Sequence, residues 1–179
     1  TLSDFITNIK SKSSRRLLKI EELNNLEEVV DELNINVIDG SINETDDMGV
    51  RKTCNIQFEN TTENYTPDST SNIWMGKKYK VSSGRQISST ETYYKSWGIF
   101  LVSEPEIDND YEGDMTSNIQ FIDKASLING TLGGTLEATY VIPVGSDLTM
   151  AVINILNEVG DPKPPIITPN SYTTPYTIT

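Results

Sequence analysis

The run Trp97-Gly98-Ile99-Phe100-Leu101-Val102 limits the possible folds more than any other part of the chain. It is short, rich in aromatic and branched residues, and apolar on both of its alternating faces. Such a segment predicts a strand covered on both sides, hence a central one. Its return partner is read at Ile119, Phe121 and Ile122. Upstream, Cys54, Ile56 and Phe58 alternate with Thr53, Asn55 and Gln57, the period-two signature of a half-buried strand. That pattern puts Cys54 in the core, where a thiol with no neighbouring base acts as a small hydrophobe.

Three further segments read as regular structure. Asp123 is suited to cap a short helix over about 123–129, with Gly130 ending it. Leu148, Ala151, Val152, Ile155, Leu156 and Val159 form one stripe, which predicts an amphipathic helix over about 146–159, stopped by Gly160 and Pro162. Tyr140-Val141-Ile142 reads as a strand, and Phe5, Ile6 and Ile9 as one side of a short N-terminal helix. The stretch 17–33 is ambiguous. Leu23, Leu26, Val30 and Leu33 fall at helical spacing, while a turn at Asn24-Asn25 would make the same residues a hairpin.

Polar sequence dominates the rest, and 36% apolar content with abundant Asn, Thr and Ser suits a β-rich domain with much polar surface. At 179 residues one domain is expected over 1–160. The proline-bearing segment 161–179 reads as an extended lead into a further domain. No stretch reaches 18 consecutive apolar residues, so no membrane association is expected.

Charge and composition exclude several functions. Fourteen basic against 26 acidic residues give a net charge of −12, which repels phosphate backbones. The absence of histidine removes the commonest general base and metal ligand. Asp108-Asn109-Asp110-Tyr111-Glu112-Gly113 begins like a calcium loop, but the twelfth position is Ile119 where a bidentate glutamate is needed, so a hairpin tip is the simpler reading. Gly130, Gly133 and Gly134 lack the Gly-Lys-Ser/Thr of a phosphate loop and read as turn residues. The Asn-x-Thr triplets at Asn43, Asn60, Asn64 and Asn129 are expected by chance in such a composition. No catalytic, cofactor-binding or metal-binding residues are assigned, no cofactor is expected, and the chain is not read as an enzyme. Trp74, Trp97 and the tyrosines could form a stacking platform for a sugar, and Trp74, beside a long loop, is a better candidate than the strand residue Trp97, though a subunit interface would use it equally well.

Taken in order, Val37–Asn43, Val50–Ile56, Ile73–Lys78, Trp97–Val102 and Asp123–Leu136 resemble the N-terminal region of baseplate hub or tail-tip proteins of tailed bacteriophages and prophages. The resemblance implies a mainly β (α+β) fold, a tail-tube-like β-barrel with the helix packed on it. It implies strands, not helix, over 17–42. It further implies a structural virion protein of the viral tail, made in the host cytoplasm. Such a protein forms a homo-oligomeric ring, expected to be a trimer, that continues the tail tube. Its partners would be tail-tube, distal-tail, tape-measure and other baseplate proteins. DNA would pass through an acidic lumen without specific binding. The alternative is a carbohydrate-binding β-rich surface module with Trp74 and the tyrosine-bearing loops as its contact surface.

Overall fold

The computed structural model describes residues 3, 6, 16–45, 51–60, 65, 73–87, 91–109, 115–128, 131–132, 139–163 and 172–178. The strands are β1 (Arg16–Leu23), β2 (Val29–Glu32), β3 (Asn36–Glu44), β4 (Lys52–Glu59), β5 (Lys78–Gln86), β6 (Thr92–Asn109) and β7 (Met115–Asp123). They form one antiparallel sheet in the order β2-β1-β5-β6-β7-β4-β3, with β6 central as its two apolar faces require. The fold is mainly β, and the α-helix whose full course is described is α1 (Leu148–Glu158).

The expected closed barrel is not formed, because the ladder ends at β2 and β3. The sheet is nevertheless rolled. Laid flat, seven strands at ~4.8 Å spacing would hold those edges roughly 29 Å apart. Only Leu33, Asn34 and Ile35 join β2 to β3, and that link spans at most about 14 Å. Residues 29–44 therefore run as one bent strand that pairs first with β1 and then with β4. Leu33 N–H donates to Ile20 O at 2.9 Å, the last bond to β1 before the chain departs. Beyond it β1 and β3 diverge, leaving a slot of about 580 Å³ lined by Leu17, Leu18, Val37, Ile42 and Cys54 among others.

The ambiguous stretch is a hairpin. Asn24 makes its turn, its side-chain oxygen accepting from Leu26 N and Glu28 N at 2.9 and 3.0 Å. Of the four residues at helical spacing, Leu23 and Leu33 are buried, whereas Leu26 and Val30 are 49% and 57% exposed. Pairing of all eight residues of β1 with β5 overrides the local helix preference.

Inside the roll lie Ile20, Leu33, Cys54, Ile56, Phe58, Ile73, Tyr79, Val81, Phe100, Val102, Ile119 and Phe121. Tyr79 and Phe121 meet edge to face at 5.6 Å between centroids. Burial of Cys54 pushes its thiol pKa up to about 12, which keeps it protonated and inert. Trp97 is partly buried against this core, and its indole N–H donates to Ser83 Oγ at 2.8 Å. Gly98, at φ +136°, sits where the β5–β6 register shifts, a conformation that a side chain at this position would strain.

Other expectations need correction. The short helix is a single 3-10 turn, Lys124–Leu127, although Asp123 caps it as expected. Tyr140-Val141-Ile142 adds no strand to the sheet. Ile142 makes an isolated bridge to Ile178, and Asp147 another to Thr173. The described part of the proline-bearing segment thus doubles back along 142–148 to form a ribbon beside α1. Helix α1 begins after the Asp147 cap and ends with Gly160 at φ +88°. Ser3 and Ile6 are helical. Gly130, Gly133, Gly134 and Asp110–Gly113 lie outside the described residues, but β6–β7 pairing extends to Asn109↔Met115, as a hairpin requires.

Candidate functional site

Alternation sends three distinct sets of side chains to the outside of the roll. At one end, Leu23, Lys78, Leu101 and Ile122 lie opposite one another across β1, β5, β6 and β7. All are buried, none more than 6% exposed. The segment leaving α1 meets this row at Lys78, which pairs with Asp161. This explains why Trp97–Val102 is apolar on both faces: Phe100 and Val102 point into the core and Leu101 out into this buried row.

Beyond the β-bulge at Ser103 the outer surface of β6, β7, β4 and β3 is uncovered and wholly different. Cross-strand neighbours form three rows. These are Asp39, Gln57, Asn118 and Glu106, then Ser41, Asn55, Gln120 and Glu104, then Asn36, Glu59, Thr116 and Asp108. The rows carry five carboxylates and no lysine or arginine. Among the described residues, no ion pair reaches Asp39, Glu104, Glu106 or Asp108. Asn36 Nδ2 donates to Glu59 at 2.7 Å, tying β3 to β4 at the end of the patch. Four strands at ~4.8 Å make a surface roughly 14 Å wide between outer strand axes. Two shallow depressions cross it, one beside Asp39 and Gln57 and one beside Glu106 and Asp108.

The outer face of β2, β1 and β5 has the opposite character, because its charges neutralise one another. Lys19 bonds Glu21 at 2.6 Å and Lys80 reaches the other oxygen of Glu21 at 3.1 Å. Lys19 also lies 3.5 Å from Glu32 of β2. On the outer surface of the described strands, uncompensated carboxylates therefore gather on the β3–β4–β7–β6 face, and composition alone gave no sign of where they would lie. The signal was nonetheless present in the alternation of Asn55/Gln57/Glu59 and Glu104/Glu106/Asp108.

Trp74 is half-buried in the turn before β5, beside the exposed Met75. With Ser103, Glu104, Pro105 and Glu106 they line a groove of about 400 Å³ at the margin of the acidic face. Asn60, one of the Asn-x-Thr positions, is 1% exposed and donates to Ser117 Oγ at 2.9 Å, so it is a structural residue. The described residues contain no group of three or more Cys, Asp or Glu arranged to hold a metal ion. None of their helices is long and apolar enough to cross a membrane.

No family model and no curated protein matches the chain. Among solved structures it is similar to a lidded PdpA–VgrG complex of Francisella, with 14% identity and a TM-score of 0.48, over 80% of this chain and 20% of that one. A lidless PdpA–VgrG complex gives 14%, 0.47, 80% and 24%. A half-lidded Francisella complex gives 13%, 0.44, 86% and 24%. The chain thus spans about a fifth to a quarter of the chains it matches, and no family is assigned from these similarities.

Proposed function

We propose that the chain is a non-enzymatic wall segment of a phage-tail-like tip, assembling as a ring whose passage is lined by the acidic β3–β4–β7–β6 face. The observation that carries this reading is the segregation of charge. Five carboxylates lie among amides and hydroxyls without a cation, while the opposite face is ion-paired. At physiological salt a surface of this kind repels a phosphate backbone within about 8 Å, so DNA slides past without adhering. The rolled sheet and the ordered resemblance to tail-hub proteins support the same reading. Copies of the chain, expected as a trimer, would close the ring, and tail-tube, distal-tail and tape-measure proteins would be its neighbours in a virion.

A gel-retardation assay tests the electrostatic claim. The unmodified protein leaves duplex DNA unshifted even at low salt. The triple variant Asp39→Lys, Glu104→Lys, Glu106→Lys retards it, with binding that falls steeply as salt rises. Retardation by the unmodified protein would refute the proposal.

The groove beside Trp74 favours a second reading, a carbohydrate-binding module. An indole next to Glu104 and Glu106 offers a stacking surface with hydrogen-bond acceptors at its rim. Glycan-array binding abolished by Trp74→Ala would support this reading over the first.

A further inference from the structure

The C-terminal unit, residues 142–163 with 172–178, is organised around itself. Ile142 and Ile178 exchange backbone bonds at 2.9 and 3.0 Å, and Thr174 N–H donates to Ser146 O at 3.0 Å. Thr174 Oγ1 donates to Pro143 O at 2.6 Å. None of these residues belongs to the core inside the roll. The unit meets the sheet at the buried outer row Leu23, Lys78, Leu101 and Ile122, through Asp161 on Lys78, and within α1 only Ala151 is buried, followed by Val159 at its cap. Met150 and Val152 remain 53% and 44% exposed.

At the docking point stands a chain of charges. The Asp161 side chain is 5% exposed and lies 3.2 Å from Lys78 Nζ, itself 6% exposed. Its second oxygen meets Lys124 Nζ at 2.8 Å. Lys124 also pairs with Glu27 in the β1–β2 turn. Two residues on, Lys163 Nζ donates to Leu26 O at 2.8 Å. One carboxylate therefore joins the helix exit to β5, to the 3-10 turn and, through Lys124, to the first hairpin.

Desolvation offsets much of the attraction in a buried ion pair, but breaking one by removing a single partner is costly because it leaves the other charge buried and unpaired. We infer that Asp161 is a latch: it holds the C-terminal unit as a detachable cover over the apolar row Leu23–Leu101–Ile122, and its loss releases the cover while the rolled sheet stays folded. The released state would present that row, and the stripe of α1, to solvent or to a neighbouring molecule.

Hydrogen exchange read by mass spectrometry on the full chain, with a dye that binds exposed apolar surface, tests the latch. In Asp161→Asn, amides of 142–163 and 172–178 lose at least tenfold protection and dye fluorescence rises, while β4, β6 and β7 keep theirs. The double variant Lys78→Met, Asp161→Leu replaces the charges by apolar contact and restores protection. Three results would overturn the inference: unchanged protection in Asp161→Asn, protection lost equally along the whole chain, or no restoration in the double variant.

Discussion

Alanine substitutions at Leu26, Val30 and Leu33 separate the two ways of folding the first hairpin. In a helix these residues would share one buried stripe and lose comparable stability. In the rolled sheet Leu33 is 5% exposed and packs in the core, at the point where the chain passes from β1 to β4, whereas Leu26 and Val30 are half in water. Removing a buried leucine side chain leaves a cavity and costs about 2–5 kcal/mol. For a domain of this size each kcal/mol shifts the melting temperature by roughly 2–4 °C, so Leu33→Ala lowers it by about 4–20 °C. Leu26→Ala and Val30→Ala stay within about 0.5 kcal/mol, or ~1–2 °C. The backbone bond from Leu33 to Ile20 survives in the alanine variant, so the loss reports packing alone. Thermal melts with matched urea titrations make the comparison. Equal losses at all three positions would refute the bent-strand closure.

Three further outcomes follow from individual side chains. Cys54, buried and with its pKa raised to about 12, resists a thiol-labelling reagent at pH 8 in the native protein and reacts at once in urea; fast native labelling would show that the slot opens to the core. Asp123 accepts from Arg51 N and Lys52 N at 2.6 and 2.7 Å and from Ala125 N at 3.0 Å, so Asp123→Ala costs about 2–3 kcal/mol in urea unfolding, and a loss under 0.5 kcal/mol would contradict this. The hydrogen bond from Lys19 lowers the pKa of Glu21, which burial alone would raise. Its contribution is therefore present above the ordinary carboxylate range near ~4.3 and is lost as pH falls through the lower folded value. Urea midpoints measured from pH 6 to pH 3 fall less steeply in Glu21→Gln than in the unmodified chain, and parallel curves would count against the pairing.

Local pattern made much of this fold legible. Strict alternation at Thr53–Phe58 and the doubly apolar Trp97–Val102 marked β4 and the centre of β6, and Asp123, Gly160 and Pro162 marked helix ends. Where the sequence misled, long-range pairing decided. The helical spacing of Leu23, Leu26, Val30 and Leu33 yields to β5, a partner more than 50 residues away. The open seam follows from a change of partner between Leu33 and Asn36, which no periodicity announces. Asp161 looks like an ordinary loop residue, and only the fold brings Lys78 and Lys124 to it. The acidic face was half visible, since each strand showed its polar side, but the order of strands determines which polar sides adjoin.

Cryo-electron microscopy of the protein at assembling concentration tests the central claim most directly. The account predicts a closed ring in which the row Asp39, Gln57, Asn118 and Glu106 faces the bore. A particle that stays monomeric at high concentration would contradict it. So would a ring that turns this face outward and lines its passage with Lys19 and Lys80.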